Sequence, residues 1–479
     1  MRKTKIVATL GPSTDDPVVL RRLIAAGLDV ARFNFSHSSY DEHKSRLERL
    51  KGACEESGAT VGFLADTKGP EIRLGTFTDG KAELNYGNTF ILTTDTITGD
   101  SSRASISYPG LPGDVSKGTR ILLDDGLIEL VVESVSGTNI NTRIINGGHI
   151  SDRKSVNVPS VRLNVPYICS RDRADLRFIV ENGFDTIAAS FVRNAEDINQ
   201  IRGELHRIDS SNKIKIIAKI ENAEGVQNAN SILTVCDGVM VARGDLGVEV
   251  EYEELPIIQK DLIRSTLQQG KPAITATQML ESMINNPRPT RAETSDVANA
   301  IYDGTSAIML SGETAVGKYP VEALSVMAKI AERIERGIDY YRRGRRDEFM
   351  AEVSITNAIA HATVTTSQDL HTSAILAVSM SGKTAQNVSK FRPACPIIAC
   401  TPDPVVKRQL KLNWGVVPLL TNEETDTTAL FSNAVAAAMD NGWIHEGELV
   451  VLTAGVPVGY SGTTNLLKVH VVGEKILKV

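Results

Sequence analysis

Residues 214–221 read Ile214-Lys215-Ile216-Ile217-Ala218-Lys219-Ile220-Glu221, an apolar run that stops on a cation and a carboxylate. Little alternation is visible in it, as befits a parallel strand buried on both faces. Seven further runs share the form: Lys5 to Leu10, Val30 to Phe35, Val61 to Ala65, Thr186 to Val192, Gly238 to Ala242, Ala273 to Ala276 and Ala307 to Leu310. Helical signals lie between them at Asp41 to Cys54, Arg171 to Asn182, Ala195 to His206, Leu255 to Gln269, Arg291 to Tyr302 and Val321 to Arg336. Eight strands alternating with helices predict a (β/α)8 TIM barrel.

The barrel is interrupted. From about Pro70 to Leu163 helical periodicity gives way to Thr-, Val-, Ile- and Asn-containing segments. Turn residues such as Thr78-Asp79-Gly80, Asp124-Asp125-Gly126 and Asn146-Gly147-Gly148 separate them. This predicts a small β-barrel lid domain over 70–163, inserted after the third strand. It leaves from the catalytic face of the barrel, which itself takes 1–69 and 164–338. The charged run Arg342 to Glu348 reads as a solvated helix end. Beyond it, a helix near Ser354 to Ser367 precedes strands near Ser373 to Val378, Ile397 to Cys400, Val416 to Leu420, Leu449 to Leu452 and Leu466 to Val472. They predict a doubly wound α/β domain over 339–479.

At 479 residues the chain exceeds one ordinary core, and 42% hydrophobic with 23% charged residues is a globular composition. No run reaches the roughly 18 apolar residues of a membrane span, and the N-terminal run is too short for a signal-peptide core. A net charge of −6 without a long basic run argues against nucleic-acid binding. Five scattered cysteines without metal-ligand spacing read as free thiols of a reducing compartment, so a cytoplasmic location is expected.

Barrel enzymes carry their chemistry where strands end. Here those ends hold Arg32, Asn34 and Ser36; Asp66, Thr67 and Lys68; Lys219 and Glu221; Arg243, Gly244 and Asp245; Thr277; and Ser311 and Glu313. Residues i and i+2 of a strand share a side, which pairs Arg32 with Asn34, Lys219 with Glu221, and Arg243 with Asp245. Glu221 and Asp245 can give two oxygens to Mg²⁺, and Arg32 and Lys219 can clamp a phosphoryl group. Each pair alone is more often a surface ion pair. Their convergence in one mouth points to a phosphoryl-transfer or enolate site.

The chain also resembles the pyruvate kinase family along essentially its whole length. The matching segments are Lys5 to Ser13 (KIVATLGPS), Ala31 to His37 (ARFNFSH), Asp66 to Arg73 (DTKGPEIR), Ile217 to Gly225 (IAKIENAEG), Gly238 to Gly247 (GVMVARGDLG), Ala276 to Met283 (ATQMLESM) and Arg291 to Pro320. No N-terminal extension of the kind found in many eukaryotic members precedes them, so the likeness is to the shorter microbial form. The resemblance implies phosphoryl transfer from phosphoenolpyruvate to ADP, giving pyruvate and ATP. It implies that Lys219 stabilises the phosphoryl group and the enolate, and that Glu221 and Asp245 hold Mg²⁺ or Mn²⁺. Amides of Gly244 and Asp245 with the Thr277 hydroxyl would hold the substrate carboxylate, Thr277 also lying near the transferred proton. Arg32 and Arg73 would contact phosphate. Asn34, Ser36, Asp66 and the Thr67 carbonyl would ligate K⁺, and Pro12, Asn34 and His37 would line the ADP site.

Glu71 stands where potassium-independent members tend to carry lysine, which places the chain in the potassium-requiring class. On charge alone, Asp66 plus Glu71 is expected to leave a negative excess for a cation to offset. Arg171 departs from the family, which has a lysine there to reach a nucleotide phosphate; the charge is kept but not the compact ammonium. A homotetramer is a further implication.

In the third domain, Ser379-Met380-Ser381-Gly382-Lys383-Thr384 follows a strand and opens a helix, a setting that suits phosphate. Ala377 at the first glycine position argues against a nucleotide P-loop, and a plain capped helix start is the bland alternative. In the family this loop binds a phosphorylated effector in many members, which makes Ser379, Ser381, Gly382, Lys383 and Thr384 candidates. Gly455 to Gly462 would then be the closing loop.

The rival readings are another barrel enzyme acting on phosphoenolpyruvate or enolates, and an inactive scaffold. Pyruvate that forms from phosphoenolpyruvate only when ADP is supplied is the expected result. Pyruvate formed without ADP would favour the first rival.

Overall fold

The computed structural model describes residues 1–341, 353–457 and 464–476. The eight apolar runs become eight parallel strands: Lys5–Thr9, Val30–Asn34, Gly62–Asp66, Thr186–Ala189, Lys215–Ile220, Gly238–Ala242, Ala273–Ala276 and Ala307–Leu310. They close into a barrel in chain order, strand one pairing with both strand two and strand eight. Side chains alternate between two apolar layers. Val7, Leu64, Ile217, Met240, Ile274 and Met309 fill the barrel interior, while Ile6, Phe33, Ile216, Ala218 and Ile220 pack outward against the helices. That alternation carries Lys219 inward at the mouth, because it lies two residues beyond Ile217.

Helix boundaries follow local chemistry. Tyr40–Ser57 starts at a capping box in which Ser39 and Glu42 bond each other's backbone amides, and it stops at left-handed Gly58. Arg291–Asp303 uses Thr290 and Glu293 in the same way and ends at left-handed Gly304.

The insertion after strand three is all-β, with its own core of Phe90, Leu92, Ile121, Leu130, Ile140 and Ile144. Its strands form a six-stranded sheet and a two-stranded ribbon rather than one continuous closed barrel. Register shifts at Glu129/Leu130 and Val132/Ser134 bend the longest hairpin, and isolated bridges such as Arg73↔Ser155 and Leu74↔Ile106 tie the first residues of the insertion to its later ones. The C-terminal sheet has the order Val416–Leu420, Ile397–Thr401, Ala374–Val378, Leu449–Gly455, Thr464–Val471. Its first four strands are parallel and the last is an antiparallel edge. The run Arg342 to Glu348 and residues 458–462 of the expected closing loop lie outside the described residues. All five cysteines are free.

A polar seam ties the barrel floor to the C-terminal sheet. Lys5 Nζ donates to the Val416 carbonyl at 2.7 Å, while Glu335, inside the barrel, accepts from the Lys3 and Thr4 amides at 2.7 and 2.6 Å. Arg408 pairs with Asp185 at 2.8 Å. Asp29, at the entrance to strand two, meets Arg2 at 2.7 Å and Lys411 at 2.8 Å, with Lys5 at 3.9 Å. Burial works against the Asp29 charge, but Lys411, Arg2 and Lys5 outweigh it and hold the carboxyl well below its ordinary value. A depressed carboxylate stabilises the fold above its unfolded pKa, and that contribution is lost as pH falls through the folded one. Asp29→Asn therefore lowers the unfolding midpoint at neutral pH, a loss of about 3–5 kcal/mol because buried cations are left unpaired. The gap between variant and parent should close as pH drops below 3.8; a gap constant down to acid pH would contradict this.

Candidate active site

Asp66 ends strand three at 1% exposure and organises the mouth. Its Oδ2 accepts from Arg32 Nε at 2.7 Å, and its Oδ1 from Lys219 Nζ at 2.9 Å. Burial would raise this carboxyl, yet Arg32 and Lys219 bring it below its ordinary value. Arg32 Nη1 donates to Thr9 Oγ1 at 2.9 Å, which fixes the guanidinium across strands one to three. Lys219 in turn lies between Asp66 and Glu221, its Nζ 2.9 Å from Glu221 Oε1. Burial pulls the Lys219 pKa down; Asp66 and Glu221 overcome it and raise the pKa above the usual lysine value.

Ser190, at the end of strand four, completes this hub and has no counterpart among the residues expected from sequence. Its Oγ accepts from Lys219 Nζ at 2.8 Å and donates to the Thr67 carbonyl at 2.6 Å. The visible signal was a lone polar residue in the apolar run Thr186 to Val192.

Glu221 is fully buried. The Phe191 amide, held at φ 53, donates to its Oε2 at 2.6 Å, whereas no donor hydrogen-bonds to its Oε1. Burial pushes the Glu221 pKa up; Lys219 opposes this, and the neighbouring charges of Asp245 and Asp66 add to it.

Arg243 and Asp245 depart from expectation. A helix, Arg243–Glu249, begins directly after strand six, so the strand rule for i and i+2 does not apply. Asp245 stays at the mouth. Arg243 turns to Asp296 at 2.7 Å and to the Thr277 carbonyl at 2.6 Å. The Gly244 amide donates to Thr277 Oγ1 at 2.8 Å, and that hydroxyl donates to the Ala276 carbonyl at 2.6 Å.

Asn34 sits opposite Asp66 in the strand register, and its Oδ1 accepts from the Ser36 amide at 3.1 Å. The next turn carries exposed His37, whose amide donates to the Asn34 carbonyl at 3.2 Å. Pro12 opens a short 3-10 turn after Gly11, where a Cβ would meet the Ala315 carbonyl oxygen at 2.6 Å. Arg171 Nη2 donates to the Phe35 carbonyl at 3.3 Å, beside the same strand end.

The expected negative excess is absent. Arg73 grips Glu71 through Nε at 2.8 Å and Nη2 at 2.6 Å, and Asp66 already faces two cations. Thr384 is buried and shares a 2.8 Å hydrogen bond with Thr464. Gly382 is left-handed at φ 76 and Ser379 follows the strand, as a phosphate-type loop requires. A cleft of about 350 Å³ opens between the lid connections and the barrel, bounded by Glu71, Phe191, Asp245 and Glu249.

The whole arrangement combines a buried lysine, a clamped arginine and the carboxylates of Asp66, Glu221 and Asp245 at the barrel mouth. Family models described as "Pyruvate kinase, barrel domain" and "Pyruvate kinase, alpha/beta domain" match residues 1–324 and 357–470. The chain belongs to the pyruvate kinase family. The pyruvate kinase of Geobacillus stearothermophilus is 48% identical over 479 residues, covering 100% of this chain and 81% of that protein. The pyruvate kinase of Sporosarcina psychrophila is 47% identical over 480 residues, covering 100% and 82%. A crystal structure of a pyruvate kinase from Cryptosporidium parvum superposes with a TM-score of 0.92 at 39% identity, over 98% of this chain and 96% of that one. The chain is thus a glycolytic phosphotransferase acting between phosphoenolpyruvate and ADP. Pyruvate kinases generally need Mg²⁺ and K⁺. No helix among the described residues is long and apolar enough to cross a membrane.

Ser190→Ala removes one buried hydrogen bond to a charged group, worth about 1.5–3 kcal/mol. Steady-state assays should find kcat lowered about 10- to 100-fold in a folded enzyme. An unchanged kcat would remove Ser190 from the hub.

Proposed function

We propose that Lys219, Arg32 and Thr277 carry the pyruvate kinase reaction in this chain. The observation behind this is the Lys219 ammonium, kept charged in the mouth between Asp66 and Glu221 with Arg32 alongside. On this reading 1–69 with 164–338 is the catalytic barrel, 70–163 the lid and 339–479 the regulatory domain.

Arg32 and Lys219 grip the phosphoryl group as its charge spreads over three oxygens. Amides of Gly244 and Asp245, with the Thr277 hydroxyl, hold the substrate carboxylate. The Gly244 amide donates to Thr277 Oγ1 at 2.8 Å and that hydroxyl to the Ala276 carbonyl at 2.6 Å, so both donors lie side by side and turn to the carboxylate when it binds. Lys219 then balances the enolate. A water-linked hydroxyl network through Thr277 delivers a proton to its carbon, giving pyruvate. Lid closure excludes water and limits hydrolysis. Pro12, Asn34, His37, Arg73 and Arg171 form the nucleotide side; Arg73 must share its guanidinium with Glu71 to do so.

Two protein carboxylates, with substrate and water oxygens completing the shell, is a pattern Mg²⁺ favours. Glu221 and Asp245 fit it: Glu221 Oε1 is a buried oxygen that faces the Lys219 ammonium at 2.9 Å but accepts no well-aligned hydrogen bond. Mg²⁺ or Mn²⁺ held there supplies positive charge that lowers the repulsion between two anionic substrates. Asn34, Ser36, Asp66 and the Thr67 carbonyl offer an all-oxygen donor set with one ionised carboxylate, which fits K⁺. Glu71 supports the potassium-requiring class by resemblance rather than by uncompensated charge. A cytoplasmic homotetramer is proposed on the same resemblance. A phosphorylated effector at Ser379, Ser381, Gly382, Lys383 and Thr384 is proposed likewise.

The test is pyruvate formation with and without ADP, at zero and high potassium, in the parent and in Lys219→Ala. Activity should need both ADP and potassium. The variant should lose about a thousandfold or more in kcat, on the scale of a lost electrostatic stabiliser. Full activity without potassium would discard the Glu71 reading alone. A variant with parental kcat would discard the role of Lys219.

A further inference from the structure

Thr277 is a β-branched residue at φ 67, followed by Gln278 at φ 54. Two consecutive left-handed non-glycine residues are strained and persist only where their surroundings over-determine them. The Thr277 hydroxyl is held by the Gly244 amide and the Ala276 carbonyl, and its own carbonyl by one side chain. Arg243 donates to the Thr277 carbonyl from Nη2 at 2.6 Å and from Nε at 3.2 Å. Nη2 also lies 2.9 Å from Met279 Sδ, while Nη1 donates to Asp296 at 2.7 Å. The guanidinium is buried, and Asp296 belongs to the helix Arg291–Asp303.

Arg243 is also the first residue of the short helix whose next two residues are Gly244 and Asp245. One planar group therefore fixes three things: the start of that helix, the strained carbonyl at the end of strand seven, and a neighbouring barrel helix. Its fork geometry matters, since one ammonium cannot make two hydrogen bonds to a carbonyl and still reach a carboxylate along a second direction.

We propose that Arg243, aimed by Asp296, is a positioning residue that holds Thr277 in its left-handed conformation and so sets where the Thr277 hydroxyl points during proton delivery to the enolate. This rests on the role proposed above for Thr277. Arg243 touches no reacting atom; it acts on the threonine backbone.

Exchange of pyruvate methyl protons with D2O, followed by NMR with Mg²⁺ and K⁺ present, isolates the proton step from transfer to ADP. Thr277→Ala, Arg243→Gln and their double variant are compared, with thermal midpoints checking the fold. Arg243→Gln should slow exchange about tenfold to a hundredfold, as a misplacement of about 1 Å does. Added to Thr277→Ala it should do nothing further, because both changes act through one hydroxyl. A double variant that loses the product of the two single losses would overturn the inference, since Arg243 would then act elsewhere. If Arg243→Gln does not fold, Asp296→Asn takes its place in the same cycle and must show the same non-additivity. Parental exchange in Thr277→Ala would instead sink the role of Thr277, and the inference with it. Loss in Thr277→Ala with none in folded Arg243→Gln would sink the positioning role alone.

Discussion

The carboxylate of Asp66 is the constraint on which the rest of the mouth depends. It is almost inaccessible to water, and it separates and neutralises two cations that would otherwise repel each other. Removing charges from water costs several kcal/mol per ion, so such a cluster persists only when its members satisfy one another. Arg32, Lys219, Ser190 and the Thr67 carbonyl do this around Asp66. The hub is stiff because its members leave the ends of four barrel strands, two to five. Those strands are fixed by the apolar layers on their two faces.

Around this stiff centre the backbone bends where chemistry asks for it. Phe191 and Thr277 are both left-handed, one to aim an amide at Glu221 and the other to present a hydroxyl to Gly244. Both lie just past strand ends, where the ladder no longer dictates φ and ψ. The barrel floor shows the opposite design. Asp29 and Asp185 anchor it to Lys411 and Arg408 of the C-terminal domain through ion pairs, well away from the reacting groups. Rigid floor and strained mouth suit a scaffold that holds fixed charges in place.

Much of this was legible in the sequence, and the misses have physical causes. Strands buried on both faces leave continuous apolar runs, so all eight were placed to within two or three residues. Lys219 and Glu221 were paired correctly because strand geometry extends to them. Arg243 and Asp245 were not, because the chain turns helical at Arg243 and changes its period there. Ser190 was missed because one hydroxyl in an apolar run looks like any core serine. Its role depends on Lys219, 29 positions further along the chain. Glu71 misled the charge count because its partner, Arg73, is its near neighbour and had been given to the nucleotide. Thr384 shares its hydrogen bond with a hydroxyl of strand Thr464–Val471, a contact 80 positions away that no local motif encodes.

The central claim is that Asp66 keeps Lys219 charged despite its burial. Its most direct test is the pH dependence of kcat/KM in Asp66→Asn. Burial and Arg32 lower the Lys219 pKa, while Asp66 and Glu221 raise it. With Asp66 neutral, the ammonium should lose its proton at lower pH, and the alkaline limb of the profile should move down accordingly. A profile whose alkaline limb stays where it is in the parent enzyme would contradict the account.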